Sequence, residues 1–138
     1  METNCIFCKI ANGDIPSSTI YEDDAFRVIL DLSPATKGHA LILPKQHMAD
    51  LFEMDETTAS KIFVLASRIA KAMKTALNCD GLNIVQNNGS VAGQTVFHFH
   101  MHLIPRYNGD GQTIGWVPGT SEASERDAIA DQIRAILN

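Results

Sequence analysis

The spacing of apolar and polar positions marks out most of the elements of this chain. The clearest lies between Glu56 and Leu77, where Ile62, Leu65, Ala66, Ile69, Met73, Ala76 and Leu77 recur at steps of three and four. That is one apolar stripe of a long helix, and Asp55 or Thr57 can cap its start. Residues 19–22 and 25–30 read as a hairpin turning at Asp23-Asp24, its second run rich in Phe, Val, Ile and Leu like a buried strand. Residues 38–44 form another short apolar strand, closed by Pro44, which cannot donate to a ladder. A strand at 82–85 follows, and residues 96–104 carry the strongest alternation of all.

The remaining segments are less regular. Residues 4–11 are compact and mixed, and Asn12-Gly13-Asp14 is a turn after which Pro16 biases Ile15 away from helix. The tail has a turn around 108–111, then a short closing helix in which Ser124 and Asp127 are spaced like a capping box and Ile129, Ile133 and Ile136 share a face. The pattern predicts one α+β domain over residues 1–138, with a mostly antiparallel sheet.

Composition narrows the partners. With 138 residues the chain fits one domain, and at 45% hydrophobic and 20% charged it is ordinary for a globular protein. A net charge of −5 with no basic stripe argues against a nucleic-acid polymer, though not against one small phosphate ligand. The start, Met-Glu-Thr-Asn-Cys, lacks the features of a signal peptide, and no run is long enough for a membrane span. Three cysteines fit a reduced, cytoplasmic protein better than a disulfide scaffold.

Candidate chemistry sits on the most patterned stretch. His98, His100 and His102 alternate with Phe97, Phe99, Met101 and Leu103. On a single strand the imidazoles would share one face about 6–7 Å apart, and the apolar residues would share the other. Three imidazoles on one face are costly to bury without partners, so that face predicts a cleft. His-x-His on a strand can also hold Zn²⁺, but no carboxylate flanks this one closely. A loop rich in Gly and Asn precedes it instead, suited to converging N–H groups on an anion. Neutral imidazole is a competent nucleophile toward phosphorus.

The run His98-Phe99-His100-Met101-His102-Leu103-Ile104 matches the pattern His-φ-His-φ-His-φ-φ, φ being apolar. It follows Asn87-Asn88-Gly89-Ser90-Val91-Ala92-Gly93-Gln94-Thr95-Val96, and Tyr21-Glu22-Asp23, Asp31-Leu32-Ser33-Pro34 and the block from Lys37 to His47 precede both. In these blocks the chain resembles the histidine-triad family, over nearly its whole length and least after Tyr107. Cys5-Ile6-Phe7-Cys8-Lys9-Ile10 and Gly13-Asp14-Ile15-Pro16 are similar to the Hint branch of nucleotide phosphoramidases, whereas the Fhit branch of dinucleoside polyphosphate hydrolases lacks that opening.

The resemblance implies an antiparallel sheet of about five strands bearing a long and a C-terminal helix, with sheets paired across a homodimer. It implies that His100 attacks the α-phosphorus of a purine nucleoside phosphoramidate, that His102 contacts the phosphate, and that Thr95 and the Gln94 backbone donate to phosphate oxygens or the leaving atom. Gly93 would let the chain approach closely, Asn87 would hold the 5′ side and Asp31 the ribose hydroxyls. Ile6, Phe7, Ile10, Ile29 and Leu32 would form an apolar base slot, although for these five plain core packing is the first reading and the two uses can coexist. His39 would support the triad strand. Members with the cysteine opening bind a structural zinc, and the matching ligands are Cys5, Cys8, His47 and His98, leaving His98 to fix and orient; Cys79 reads as structural. A zinc hydrolase using all three triad histidines, a Fhit-like enzyme and a non-catalytic nucleotide sensor remain alternatives at this point.

Overall fold

The computed structural model describes residues 4–137. Among these described residues, five strands form one sheet in the order β1-β2-β3-β5-β4: β1 is Thr19–Glu22, β2 Phe26–Leu30, β3 Ala40–Pro44, β4 Gly81–Val85 and β5 Met101–Arg106. Every pairing is antiparallel. Helix α1 spans Ile6–Ala11, α2 Glu56–Leu77 and α3 Ala123–Ile136, with 3₁₀ turns at Leu51–Glu53 and Ser90–Ala92. The α+β architecture expected from the pattern is therefore the one observed.

Local chemistry explains the element ends. Asp23 makes the first hairpin turn, its Oδ1 accepting from the N–H groups of Ala25 and Phe26 at 2.8 Å each. The Asp55 side chain caps α2 by accepting from the Thr58 N–H, and Asn78 ends it in the left-handed conformation. Pro44 closes β3 as expected.

The two faces of the sheet carry two cores. Phe26 and Val28 of β2, Ala40 and Ile42 of β3 and Met101 and Leu103 of β5 pack with Phe99 against Ile62, Leu65, Ala66, Ile69 and Met73 of α2. On the opposite face Ile29, Leu41 and Leu43 pack with Ile10 and Ala11 of α1. β3 is buried along its whole length because both faces are covered. Since Met101 and Leu103 face α2, alternation turns His102 to the face that bears α1.

Several expectations need correction. The strand anticipated at 96–104 begins only at Met101, so His98 and His100 precede it on non-ladder backbone. The Phe99 N–H goes to the Met48 carbonyl, outside the sheet. Phe97 is half exposed instead of joining the core. Residues 4–11 contain a six-residue helix that no periodicity signalled, because its N-cap is a thiol: Cys5 Sγ accepts from the Cys8 N–H. The closing helix begins at Ala123 after Glu122, with no side-chain cap, so the Ser124–Asp127 capping box does not form. Its Ile129, Ile133 and Ile136 are exposed, and Ala76 near the end of α2 is exposed too.

Candidate functional site

The triad histidines are buried or half-buried, and each has its ring fixed by a named partner. His98 is fully buried, and its Nε2 lies 2.8 Å from the Pro44 carbonyl. A carbonyl only accepts, so Nε2 carries the proton and Nδ1 presents a lone pair. His100 Nδ1 lies 2.8 Å from the His98 carbonyl and donates to it, which leaves the lone pair on Nε2. The Phe7 ring stands edge-on to His100 at 4.9 Å between centroids, and the His102 ring packs against His100 at 5.0 Å.

His102 is set by a longer chain of bonds. The Ala35 N–H donates to His39 Nδ1 at 3.0 Å, so the His39 proton must sit on Nε2. That Nε2–H donates to His102 Nδ1 at 2.9 Å, with an Asp31 carboxylate oxygen 3.6 Å away. His102 therefore carries its own proton on Nε2. Burial pushes His102 down to about 4, helped by His100 and His39, and burial likewise lowers His39 against the pull of Asp31. His102 is thus a neutral donor at neutral pH. The pair at the centre consists of a nitrogen lone pair on His100 and an N–H on His102.

The loop before the triad is tightly tied. Gln94 is buried; its amide nitrogen donates to the carbonyls of Ala49 and Val96, and its oxygen accepts from the Gly89 N–H. The Gln94 backbone N–H donates to the Gly89 carbonyl at 3.1 Å, so in this arrangement it is engaged within the loop instead of being turned to an outside anion. Gly93 has φ +98, and a Cβ there would stand 3.3 Å from Asn87 Nδ2, so the close approach expected of Gly93 is made to Asn87. Thr95 is exposed and, with Cys5, Ile6, His47 and Phe97, lines a cavity of about 410 Å³.

The anticipated apolar slot divides. Phe7 touches His100, and Ile6 and Leu32 are exposed, at 50% and 97%. Ile10 and Ile29 are instead packed in the core beneath α1. Asp31 is half-buried, and its Oδ1 accepts from the Ser33 N–H in a local turn.

Cys5, Cys8, His47 and His98 converge, their donor atoms all within 4.8 Å of one another. Cys8 Sγ lies 3.3 Å from His47 Nδ1 and 3.4 Å from His98 Nδ1, and Cys5 Sγ lies 3.4 Å from His98 Nδ1. With Zn–S about 2.3 Å and Zn–N about 2.0–2.1 Å, tetrahedral geometry sets the S···N edge at roughly 3.5 Å. The cluster matches that spacing, and His98 turns the correct nitrogen toward it because Pro44 holds the other. The residues fit a closed zinc site. A shared ion on all three triad imidazoles does not fit, since both nitrogens of His98 are already committed. Asp31, His39 and His102 form a second convergent group, explained by the hydrogen bonds above.

The backbone partners, Pro44 C=O, His98 C=O and Ala35 N–H, were beyond sequence reasoning, because peptide groups leave no residue-type signal. Cys79 is buried at the end of α2, consistent with a structural role. None of the three cysteines is in a disulfide. Among the described residues no helix is long and apolar enough to cross a membrane.

Comparison with known proteins agrees with this geometry. The protein SMU.412c from Streptococcus mutans UA159 superposes with a TM-score of 0.95 at 43% identity, covering 100% of this chain and 88% of that one. A Zn-bound histidine triad family protein from Mycobacterium smegmatis superposes with a TM-score of 0.76 at 41% identity, covering 96% and 97%. The adenosine 5′-monophosphoramidase hnt1 of Schizosaccharomyces pombe is 37% identical over 131 residues, 94% of this chain and 96% of the relative. The HIT domain model matches residues 12–109, from the end of α1 to the turn after β5. The chain belongs to the histidine-triad (HIT) family.

Proposed function

We propose that the protein is a purine nucleoside phosphoramidase, cleaving at the α-phosphorus through a nucleotidyl-His100 intermediate and releasing AMP or GMP. The observation that carries this reading is the bond from His100 Nδ1 to the His98 carbonyl, which fixes the ring and leaves Nε2 as the oriented nucleophile. Its lone pair forms a bond to phosphorus while the P–N bond breaks, and the departing amine takes up a proton from solvent. Water then attacks phosphorus and frees His100. The His102 Nε2–H donates to a non-bridging phosphoryl oxygen, where charge grows in the transition state. Thr95 is a second donor, Asp31 the ribose acceptor, Asn87 the contact on the 5′ side, and Phe7, Ile6 and Leu32 the apolar surface for the base. The monophosphoramidase name of the fission-yeast relative supports this substrate class.

Zinc on Cys5, Cys8, His47 and His98 has a structural part in this reading: it ties α1 to the residue whose carbonyl orients His100. A homodimer completes the reading, supported by the open edge of β4 with exposed Ile84 and by exposed Phe63 and Val64 on α2. The test is release of AMP from adenosine phosphoramidate by purified protein without added metal, with diadenosine tetraphosphate in parallel. The expected preference is for the phosphoramidate, with an acid-labile adduct on quenched enzyme. A His100→Ala variant that cleaves as fast as the parent refutes the nucleophile.

A further inference from the structure

The bonds that fix His102 do not end at Ala35. Arg106, the last residue of β5, holds Asp110 in a two-pronged ion pair with Nε and Nη2 at 2.8 and 2.9 Å, and its Nη1 donates to Asn83. The Asp110 carboxylate also accepts from the N–H groups of Tyr107 and Gln112, and these bonds, Arg106 first, hold it far below the usual carboxylate range. The Gln112 carbonyl accepts from Arg106, so that residue is pinned on both sides of its backbone. From this fixed base the Gln112 side-chain amide donates to the Ala35 carbonyl at 2.8 Å. Ala35 is the residue whose N–H sets the proton position on His39. Tyr107 Oη grips the Lys37 carbonyl of the same loop at 2.7 Å. Both Asp110 and Gln112 lie beyond residues 12–109, the stretch that matches the HIT model.

We propose that Gln112 is a positioning residue for the reaction: by holding Ala35 it keeps His39, and through it His102, in the arrangement that presents the His102 Nε2–H to the phosphoryl group. This rests on the phosphoramidase reading. Gln112 is exposed, so replacing it leaves both cores untouched. The His102 donor acts chiefly on charge that develops during reaction, so the defect belongs in kcat and not in ground-state binding.

The experiment compares Gln112→Ala and Gln112→Glu with the parent; the glutamate keeps the shape and presents an acceptor to a carbonyl. For both variants kcat on adenosine phosphoramidate is expected to fall about tenfold, with AMP affinity within about twofold and Tm little changed. Long-range ¹H–¹⁵N spectra of the imidazoles are read on the same samples. In the parent, His39 and His102 are expected as single Nε2–H forms, and in the variants His102 as a mixture. A kcat within twofold of the parent, an equal loss in AMP binding, or unchanged imidazole spectra overturns the proposal. If the parent itself fails to release AMP, the phosphoramidase reading falls, while the spectra still decide whether Gln112 orders the two rings.

Discussion

Removing the proposed zinc gives the most quantitative test of the fold. Cys8 and His98 are 90 residues apart in sequence, yet their donor atoms lie 3.4 Å apart. An ion joining them closes a loop of that length, and in the chain-entropy picture such a closure removes about 4–5 kcal/mol of freedom from the unfolded chain. For a domain of 138 residues, one kcal/mol corresponds to a Tm shift of about 3–4 °C. Chelation is therefore expected to lower Tm by about 12–20 °C without unfolding the domain outright, because the α2 core does not depend on the ion. The assay is calorimetry of protein as purified, after chelator, and after zinc is restored, with Cys8→Ser run beside it. The variant should start near the chelated value and ignore added zinc. A chelated parent that melts with the zinc-loaded form, or a Cys8→Ser protein that still responds to zinc, refutes the reasoning. Activity is a second readout: because the set of ligands is closed, chelation should slow turnover without abolishing it.

Other outcomes follow from the same geometry. Gly93→Ala should cost about 1–2 kcal/mol, since φ is +98 and Asn87 stands in the way; nucleotide affinity measured by calorimetry should weaken as the loop shifts. Phe99→Ala should destabilise by about 3–5 kcal/mol in urea unfolding, because its ring is 2% exposed between the sheet and α2. Burial holds His102 at about 4 against an ordinary 6.5, so between those values the unfolded chain binds a proton that the folded one refuses. The His102 contribution should thus be complete above about pH 6.5, fall as pH drops toward 4 and level off below, and His102→Gln should make the slope in denaturation series shallower, with the equally lowered His98 keeping part of it. His39→Ala should lower kcat more than it lowers AMP affinity, checked by steady-state kinetics and equilibrium binding.

How far the chain could be read before its structure depends on which atoms do the work. Helix α2 was legible to the residue, since Ile62 to Met73 follow one stripe and Asp55 is a strong cap. The hairpin and β3 were legible from apolar runs bounded by Asp23 and Pro44. The triad misled in one respect: alternation from Phe97 to Leu103 looks like one continuous strand, but β3 offers ladder partners only to residues 101–103. Before Met101 the chain is held by side chains and by the Met48 carbonyl instead. Helix α1 was hidden because six residues carry too few apolar repeats and its cap is a cysteine. The four-residue sulfur and nitrogen cluster came from family likeness, and the structure brings those residues together. The brace at Gln112 had no signature, lying where that likeness fades.

The orientation of the reactive rings is delegated to the main chain. His98 leans on the carbonyl of Pro44, His100 on the carbonyl of His98, and His39 on the amide of Ala35. Peptide groups are the same for every amino acid, so what positions 44 and 35 supply to the rings does not depend on their side chains. Position 44 can be proline because only its oxygen is required, and its side chain answers instead to the core in which it is buried; at position 35 proline would delete the hydrogen on which the wiring starts. Mutational scans should therefore find proline the worst substitution at position 35, and position 44 limited by packing and not by the bond to His98.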